Sequence, residues 1–315
     1  MTQHPAYCQL NTQELLAKAE QGLSRLENCR LCPRQCAVDR VDGETGFCQT
    51  GRWSVLASYQ LHFGEEAPLV GKTGSGTLFF SGCNLGCVFC QNEDISQNIA
   101  SGREVQPGQL AAAMLQLQEQ GALNINLVTP THVVPQILEA LIQARAAGLR
   151  LPLVYNCGGY ESLETLQLLD GVMDMYMPDI KFSDSGVAEK YCQAADYPAR
   201  ARAALREMHR QVGDLVIDVQ GAARRGLLVR QLLLPGGLAG SAQWFAFLAQ
   251  EISQNTYLNI MDQYRPCAQA SQYPELRSTI SREDHEQALQ LARNAGLQRL
   301  DRREDRNLNA LFRML

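Results

Sequence analysis

The 315-residue sequence predicts an α/β protein, a partial (β/α)6 barrel with a small cysteine-rich segment at its N-terminus. Three observations predict it. From Gly76 onward, short apolar runs alternate six times with longer helical patterns. The runs are too apolar for a sheet with one wet face, so they imply parallel strands buried on both faces and joined by helices. Polar residues gather at the C-terminal ends of five of the six runs, the edge where parallel α/β folds bind ligands. An open doubly wound sheet fits the same rhythm, although no GxGxxG follows the first strand.

Taken in order, residues 11–27 read as an amphipathic helix. Asn11 and Glu14 form a capping-box start, and Leu15, Leu16, Ala19, Leu23 and Leu26 share a face. A cysteine-rich stretch follows to about Gly51, broken by Pro33, Gly43 and Gly46. Strands are expected at 77–82, 124–130, 152–158, 173–181, 227–236 and 256–264. Helices are expected at 107–120, 133–147, 161–169, 186–212, 241–253 and 281–295, the last opened by Ser281 with Asp284 three residues on. The chain accordingly divides into a helix plus metal-binding segment at 1–55, the barrel at 56–265 and a C-terminal helical extension at 266–315.

Composition removes several functional classes. The net charge is −5, and no domain-wide basic field exists to favour nucleic acid. No run of about 18 apolar residues spans a membrane, and MTQHPAYCQL has neither a basic start nor an apolar signal core. The expected location is the cytoplasm. In a reducing compartment the eleven cysteines are better suited to metal than to a disulfide framework. Seven fall in two groups; Cys8, Cys157, Cys192 and Cys267 are scattered and read as small buried hydrophobes.

The more telling group is SGCNLGCVFCQN, with Cys83, Cys87 and Cys90 directly after the first barrel strand. Four thiolates close a metal site, whereas three leave a coordination position open. No histidine lies near this loop in sequence to complete a zinc site. A 4Fe–4S cube needs one ligand per iron, so three thiolates leave one iron free. Val88 and Phe89 would shield such a cluster from water.

CxxxCxxC with an aromatic residue before the last cysteine, at the start of an α/β repeat, resembles the radical S-adenosylmethionine (SAM) superfamily over residues 55–265. The resemblance implies that Cys83, Cys87 and Cys90 hold a 4Fe–4S cluster whose open iron binds SAM, and that reductive cleavage gives a 5′-deoxyadenosyl radical. MPDIKF, VRQLLLPG and YNCGGY are similar to strands of pyruvate formate-lyase activating enzymes. That similarity assigns Asn156, Asp179, Lys181 and Arg230 to the SAM pocket and suggests a protein glycine as a hydrogen donor. The chain departs from those activases after its second barrel strand. A Gly-Gly-Glu-like turn is replaced there by TPTH, where the Thr129 and Thr131 hydroxyls and the backbone carbonyls would take over its contacts to SAM, with His132 beside them as a hydrogen-bonding or proton-transfer residue.

Upstream, Cys29, Cys32, Cys36 and Cys48 suit a closed site, either structural zinc or a second 4Fe–4S cluster, with the reading leaning to zinc. The expected partners are a reductant such as flavodoxin or ferredoxin and a polypeptide or other large substrate, a small metabolite being the alternative. Two competing functions share the same cysteines: a non-catalytic iron–sulfur electron-transfer protein, and a zinc-stabilised interaction module.

Overall fold

A computed structural model describes residues 4–301. Nine strands form one mixed sheet: β1 (Ser54–His62), β2 (Ser75–Phe80), β3 (Arg103–Val105), β4 (Ile125–Val128), β5 (Leu153–Cys157), β6 (Met175–Ile180), β7 (Val216–Ile217), β8 (Ala223–Leu232) and β9 (Tyr257–Met261). β2, β4, β5, β6, β8 and β9 pair in parallel, each with the next in chain order. These are the six strands expected from the sequence, shifted by a few residues at their ends. The order has no reversal point, so the sheet is not doubly wound. β1 pairs antiparallel with β2 and with the short edge strand β3, and β7 pairs antiparallel with β8. β1 was not legible as a strand; it is half-exposed, and Ser58 and Gln60 interrupt its apolar pattern.

Strand residues alternate between two faces. Leu78, Phe80, Leu127, Tyr155, Tyr176, Val229 and Leu258 join the main core. The helices on this face are α1 (Thr12–Ser24), α2 (Pro107–Glu119), α3 (Val134–Ala146), α4 (Leu163–Leu168), α5 (Ser185–Cys192), α6 (Tyr197–Val212), α7 (Ser241–Phe247) and α8 (Arg282–Asn294). On the opposite face Val154, Met175, Met177 and Leu228 form a smaller cluster with Leu69 from a single helical turn, Ala67–Val70. That turn lies in the β1–β2 connection and covers part of the inner face.

Caps set the helix ends where the sequence put them. In α1, Asn11 Oδ1 accepts from the Glu14 amide at 2.9 Å and the Glu14 carboxylate accepts from the Asn11 amide at 2.7 Å. Ser281 and Asp284 form the same box for α8. The region expected as one helix over 186–212 is two. Gln193 takes a left-handed conformation (φ 51°) that ends α5, and α6 restarts with Pro198 in its first turn, where the missing N–H is harmless. The N-terminal residues fasten the edge at which the parallel strands begin. The Ala6 amide donates to Asp174 Oδ1 at 2.8 Å, and α1 packs against α3. Of the expected C-terminal extension, α8 is present and residues 302–315 lie outside the described residues. Among the described residues, no helix is long and apolar enough to cross a membrane.

Candidate functional site

The connection after β2, which carries the three cysteines, turns sharply at Gly82 and Gly86. Both are left-handed, with φ of 84° and 66°. They also leave room for the upstream segment. A Cβ on Gly82 would stand 2.5 Å from the Cys48 carbonyl, and one on Gly86 2.9 Å from the Phe47 ring. The two cysteine groups are therefore neighbours in space, although 35 positions separate Cys48 from Cys83.

Cys87 is buried, while Cys83 and Cys90 are half-buried. The Leu85 amide donates to Cys83 Sγ at 3.3 Å, and Cys90 Sγ lies 3.1 Å from Ser96 Oγ. Burial pushes the Cys83 thiol up to about 12 and raises Cys90 as well. Cys87 is raised first by its contact with Cys192 and then by burial. The loop thus holds neutral thiols, which give up their protons to a metal centre more readily than to water. Cys192, expected to be an inert core residue, has its Sγ 3.3 Å from Cys87 Sγ. Nothing in the sequence spacing links the two; the turn at Gln193 brings them together.

Around this loop lie the ends of the parallel strands. Asn156 on β5 stands opposite Val128 and Met177, on the inner face. Asp179 and Lys181 form an ion pair at 3.3 Å with each other, both partly buried. Burial alone would lower Lys181, but the charge of Asp179 holds it above its usual range. A Cβ on Gly158 would stand 3.4 Å from the Leu85 side chain and 3.8 Å from that of Lys181, so the β5 and β6 ends lie close to the cysteine loop.

Arg230 lies opposite Asp179 in the β6–β8 register. Its guanidinium is bound by two carboxylates, with Nε 2.8 Å from Glu66 and Nη2 on Glu65. Asn259 donates to Glu66 at 2.6 Å and Asn126 donates to Glu65 at 2.9 Å. Burial would raise the Glu66 carboxyl, but Arg230 holds it below the usual carboxylate range. Sequence reading found Arg230 and missed its partners. The available signal was a lone asparagine in each of two otherwise apolar strands, β4 and β9.

The TPTH turn is held by contacts of its own. Thr129 adopts φ 59°, and its amide donates to the Asn156 carbonyl at 2.8 Å. Thr131 Oγ1 donates to Glu161 at 2.7 Å, and Tyr155 Oη to the same carboxyl at 2.9 Å. Burial pushes Glu161 up to about 7. His132 is buried, with Nε2 2.9 Å from the Ser81 carbonyl. A carbonyl only accepts, so Nε2 carries the proton and Nδ1 a lone pair. Burial, aided by Arg40, pushes its pKa down to about 4, so the ring is neutral.

His132 also lines a cavity whose wall includes all four upstream cysteines, Cys29, Cys32, Cys36 and Cys48, with Arg34, Arg40 and Asn84. A Cβ on Gly46 would stand 2.6 Å from Cys36 Sγ, so that glycine admits the close approach of a sulfur. Among the described residues no three His, Cys, Asp or Glu side chains converge closely enough to hold a single metal ion.

No protein-family model matches the sequence. The chain is 31% identical over 288 residues to the uncharacterized protein MJ0674 of Methanocaldococcus jannaschii, covering 89% of this chain and 78% of that protein. It belongs to the MJ0674 family. It is also similar to the uncharacterized protein MJ0808 of the same organism, 27% identical over 186 residues and covering 54% of each chain. Neither relative's name carries an activity, so a function rests on the site itself.

Proposed function

We propose that this protein is a radical SAM enzyme whose sheet is the wall of a partial (β/α)6 barrel. The observation that carries the reading is the loop Cys83–Cys90: three thiols and no fourth from its own segment, at the C-terminal edge of the first parallel strand. The donor set fits a 4Fe–4S cluster with one open iron, because a cube takes one ligand per iron and the loop offers three thiols. Winding of the six parallel strands in chain order, without a switch point, supports the barrel. When bound, the cluster would supply the electron that cleaves SAM to methionine and a 5′-deoxyadenosyl radical, which takes hydrogen from substrate.

The chain's own residues then bind and orient. Asn156, Asp179 and Lys181 offer an amide, a carboxylate and an ammonium beside the loop to the amino-acid and nucleoside parts of SAM. Arg230, committed to Glu65 and Glu66, acts by fixing the inner face. Thr129 fixes the turn beside Asn156 through its amide. Thr131 and His132 hold that turn from behind, through Glu161 and Ser81. The hydrogen donor is a polypeptide, with a protein glycine as one form, and the electron comes from a flavodoxin- or ferredoxin-type carrier in the cytoplasm.

The test is anaerobic purification, reconstitution with iron and sulfide, and incubation with dithionite and SAM. Brown protein that yields 5′-deoxyadenosine is expected, with loss of colour-linked cleavage in Cys87→Ala and weaker SAM binding by calorimetry in Asp179→Ala. Cleavage that survives Cys87→Ala refutes the reading. A brown wild-type protein that never cleaves SAM points instead to electron transfer alone.

A further inference from the structure

The 3.3 Å approach of Cys192 Sγ to Cys87 Sγ is the only thiol–thiol hydrogen bond among the described residues. Two thiolates on one zinc ion, with Zn–S near 2.3 Å, stand about 3.8 Å apart. The pair is thus closer than a shared ion would hold it, and no three His, Cys, Asp or Glu side chains converge around it. The other loop thiols have other neighbours. Cys83 Sγ accepts from the Leu85 amide at 3.3 Å, and Cys90 Sγ lies 3.1 Å from Ser96 Oγ. Only Cys87 of the three faces a second cysteine.

The backbone holds the two residues side by side. The Val88 amide donates to the Tyr191 carbonyl at 3.0 Å, so the peptide group after Cys87 meets the one before Cys192. Arg34, from the cysteine-rich segment, ties the same two stretches together. Its guanidinium donates to the carbonyls of Asn84 (2.9 Å) and Leu85 (3.0 Å) on one side. On the other side it donates to the carbonyls of Cys192 (2.7 Å) and Gln193. From 3.3 Å, the sulfurs need to close by about 1.3 Å to reach the S–S distance of a disulfide, which side-chain rotation covers.

We propose that Cys87 and Cys192 are a redox modification site, which a peroxide converts to a reversible disulfide in the cluster-free chain. Cys87 is 8% exposed and Cys192 1%, so peroxide meets Cys87 first. The Cys87 sulfur attacks one peroxide oxygen. An S–O bond forms, the O–O bond breaks and water leaves, giving a sulfenic acid. The Cys192 thiol then attacks that sulfur. The S–S bond forms, the S–O bond breaks, and the hydroxyl leaves with the Cys192 proton as a second water. Each sulfur gives up one electron and the peroxide takes both. A dithiol reductant reverses the step by exchange and itself becomes a disulfide.

The disulfide does for Cys87 what a lone thiol cannot. It intercepts the sulfenic acid before the irreversible sulfinic stage, so the sulfur is recoverable. While it stands, the loop is one thiol short of the set a cluster takes. Transient, redox-sensing disulfides are the kind a reducing compartment allows. The disulfide rests on the geometry alone, whereas its value in preserving a cluster ligand rests on the function proposed above.

The test uses the full chain, stripped of metal, reduced, freed of reductant and treated with a small excess of hydrogen peroxide. Free thiols are then alkylated and the tryptic peptides weighed. Peptides 73–103 and 191–200 should appear joined, with fragmentation placing the link at Cys87, and dithiothreitol should part them. Absence of the link, or equal links to Cys83 and Cys90, overturns the proposal. In Cys192→Ala the same treatment should raise sulfinic acid at Cys87 about fivefold or more over wild type. Cys192→Ser, which keeps the side chain's size, should show the same rise, and an unchanged level there overturns the protection. Iron and sulfide content tests the value to the loop. After peroxide, dithiothreitol and reconstitution, wild type should regain the content of its untreated sample and Cys192→Ala should not. Equal recovery in the two overturns the role in preserving a ligand. A wild-type loop that takes no cluster even before peroxide refutes the function proposed above, and the peptide link is read independently of it.

Discussion

Replacing Arg230 by alanine tests whether the inner face is held together by its charge network. The Arg230 side chain is 12% exposed, that of Glu65 7% and that of Glu66 fully buried. Removing the cation leaves two carboxylates facing each other with only Asn126 and Asn259 as donors. Breaking a buried pair in this way costs about 3–5 kcal/mol. An ion pair about 4 Å apart at an effective dielectric of about 20 gives a similar figure, about 4 kcal/mol. The loss should depend on pH, and its sign is fixed. In the wild type Glu66 is held below its ordinary value, so its contribution is present above the unfolded pKa and fades as acid protonates it. In the variant, burial of Glu66 dominates and raises its carboxyl, so its protonation at low pH relieves the repulsion. Urea unfolding should therefore show a larger destabilisation at pH 8 than at pH 5. Glu65→Gln added to Arg230→Ala should recover part of it. A loss below about 1 kcal/mol at pH 8, or one that grows toward acid, would refute the network as the support of this face.

Two further outcomes follow from single contacts. Glu161 is buried and raised to about 7, so the folded state keeps its proton where the unfolded chain has lost it. Its contribution is full below the unfolded value near 4.5 and is lost as pH rises toward 7, an effect of order 3 kcal/mol. Glu161→Gln should flatten that part of the stability–pH curve, and a curve identical to wild type would contradict the assignment. Cys192 offers an S–H to Cys87 Sγ. In the reconstituted protein Cys192→Ala should lower the reduction potential of the loop's cluster, since hydrogen bonds to the ligating sulfurs favour the reduced state. EPR-monitored redox titration reads this, and an unmoved potential would make the contact mere packing.

The fold was legible where hydrophobic periodicity is strongest. All six parallel strands announce themselves because burial on both faces leaves a short, mainly apolar stretch in each, and α1 and α8 announce their starts through capping boxes at Asn11 and Ser281. What periodicity cannot carry was missed. β1 has one half-exposed face, so its apolar pattern is diluted, and the break between α5 and α6 depends on a single left-handed glutamine that propensity does not mark.

The candidate site shows the same division more sharply. Residue chemistry and spacing pick out Cys83, Cys87, Cys90 and the four upstream cysteines because each group is local in sequence. The partners that decide what those groups can do are distant: Glu65 and Glu66 precede Arg230 by more than 160 positions, Cys192 follows Cys87 by 105, and His132 reaches Arg40 across 92. Those pairings arise because the β1–β2 connection folds across the inner face, the turn at Gln193 brings Cys192 to Cys87, and the cysteine-rich segment packs on the loop after β2. Each supplies what its local group lacks: an anion for Arg230, a sulfur donor for Cys87, and an open nitrogen for the four-thiol cavity. Chemistry read from local motifs therefore names the donors, while the charge and protonation of the centres they build are set by residues that only the tertiary structure brings to them.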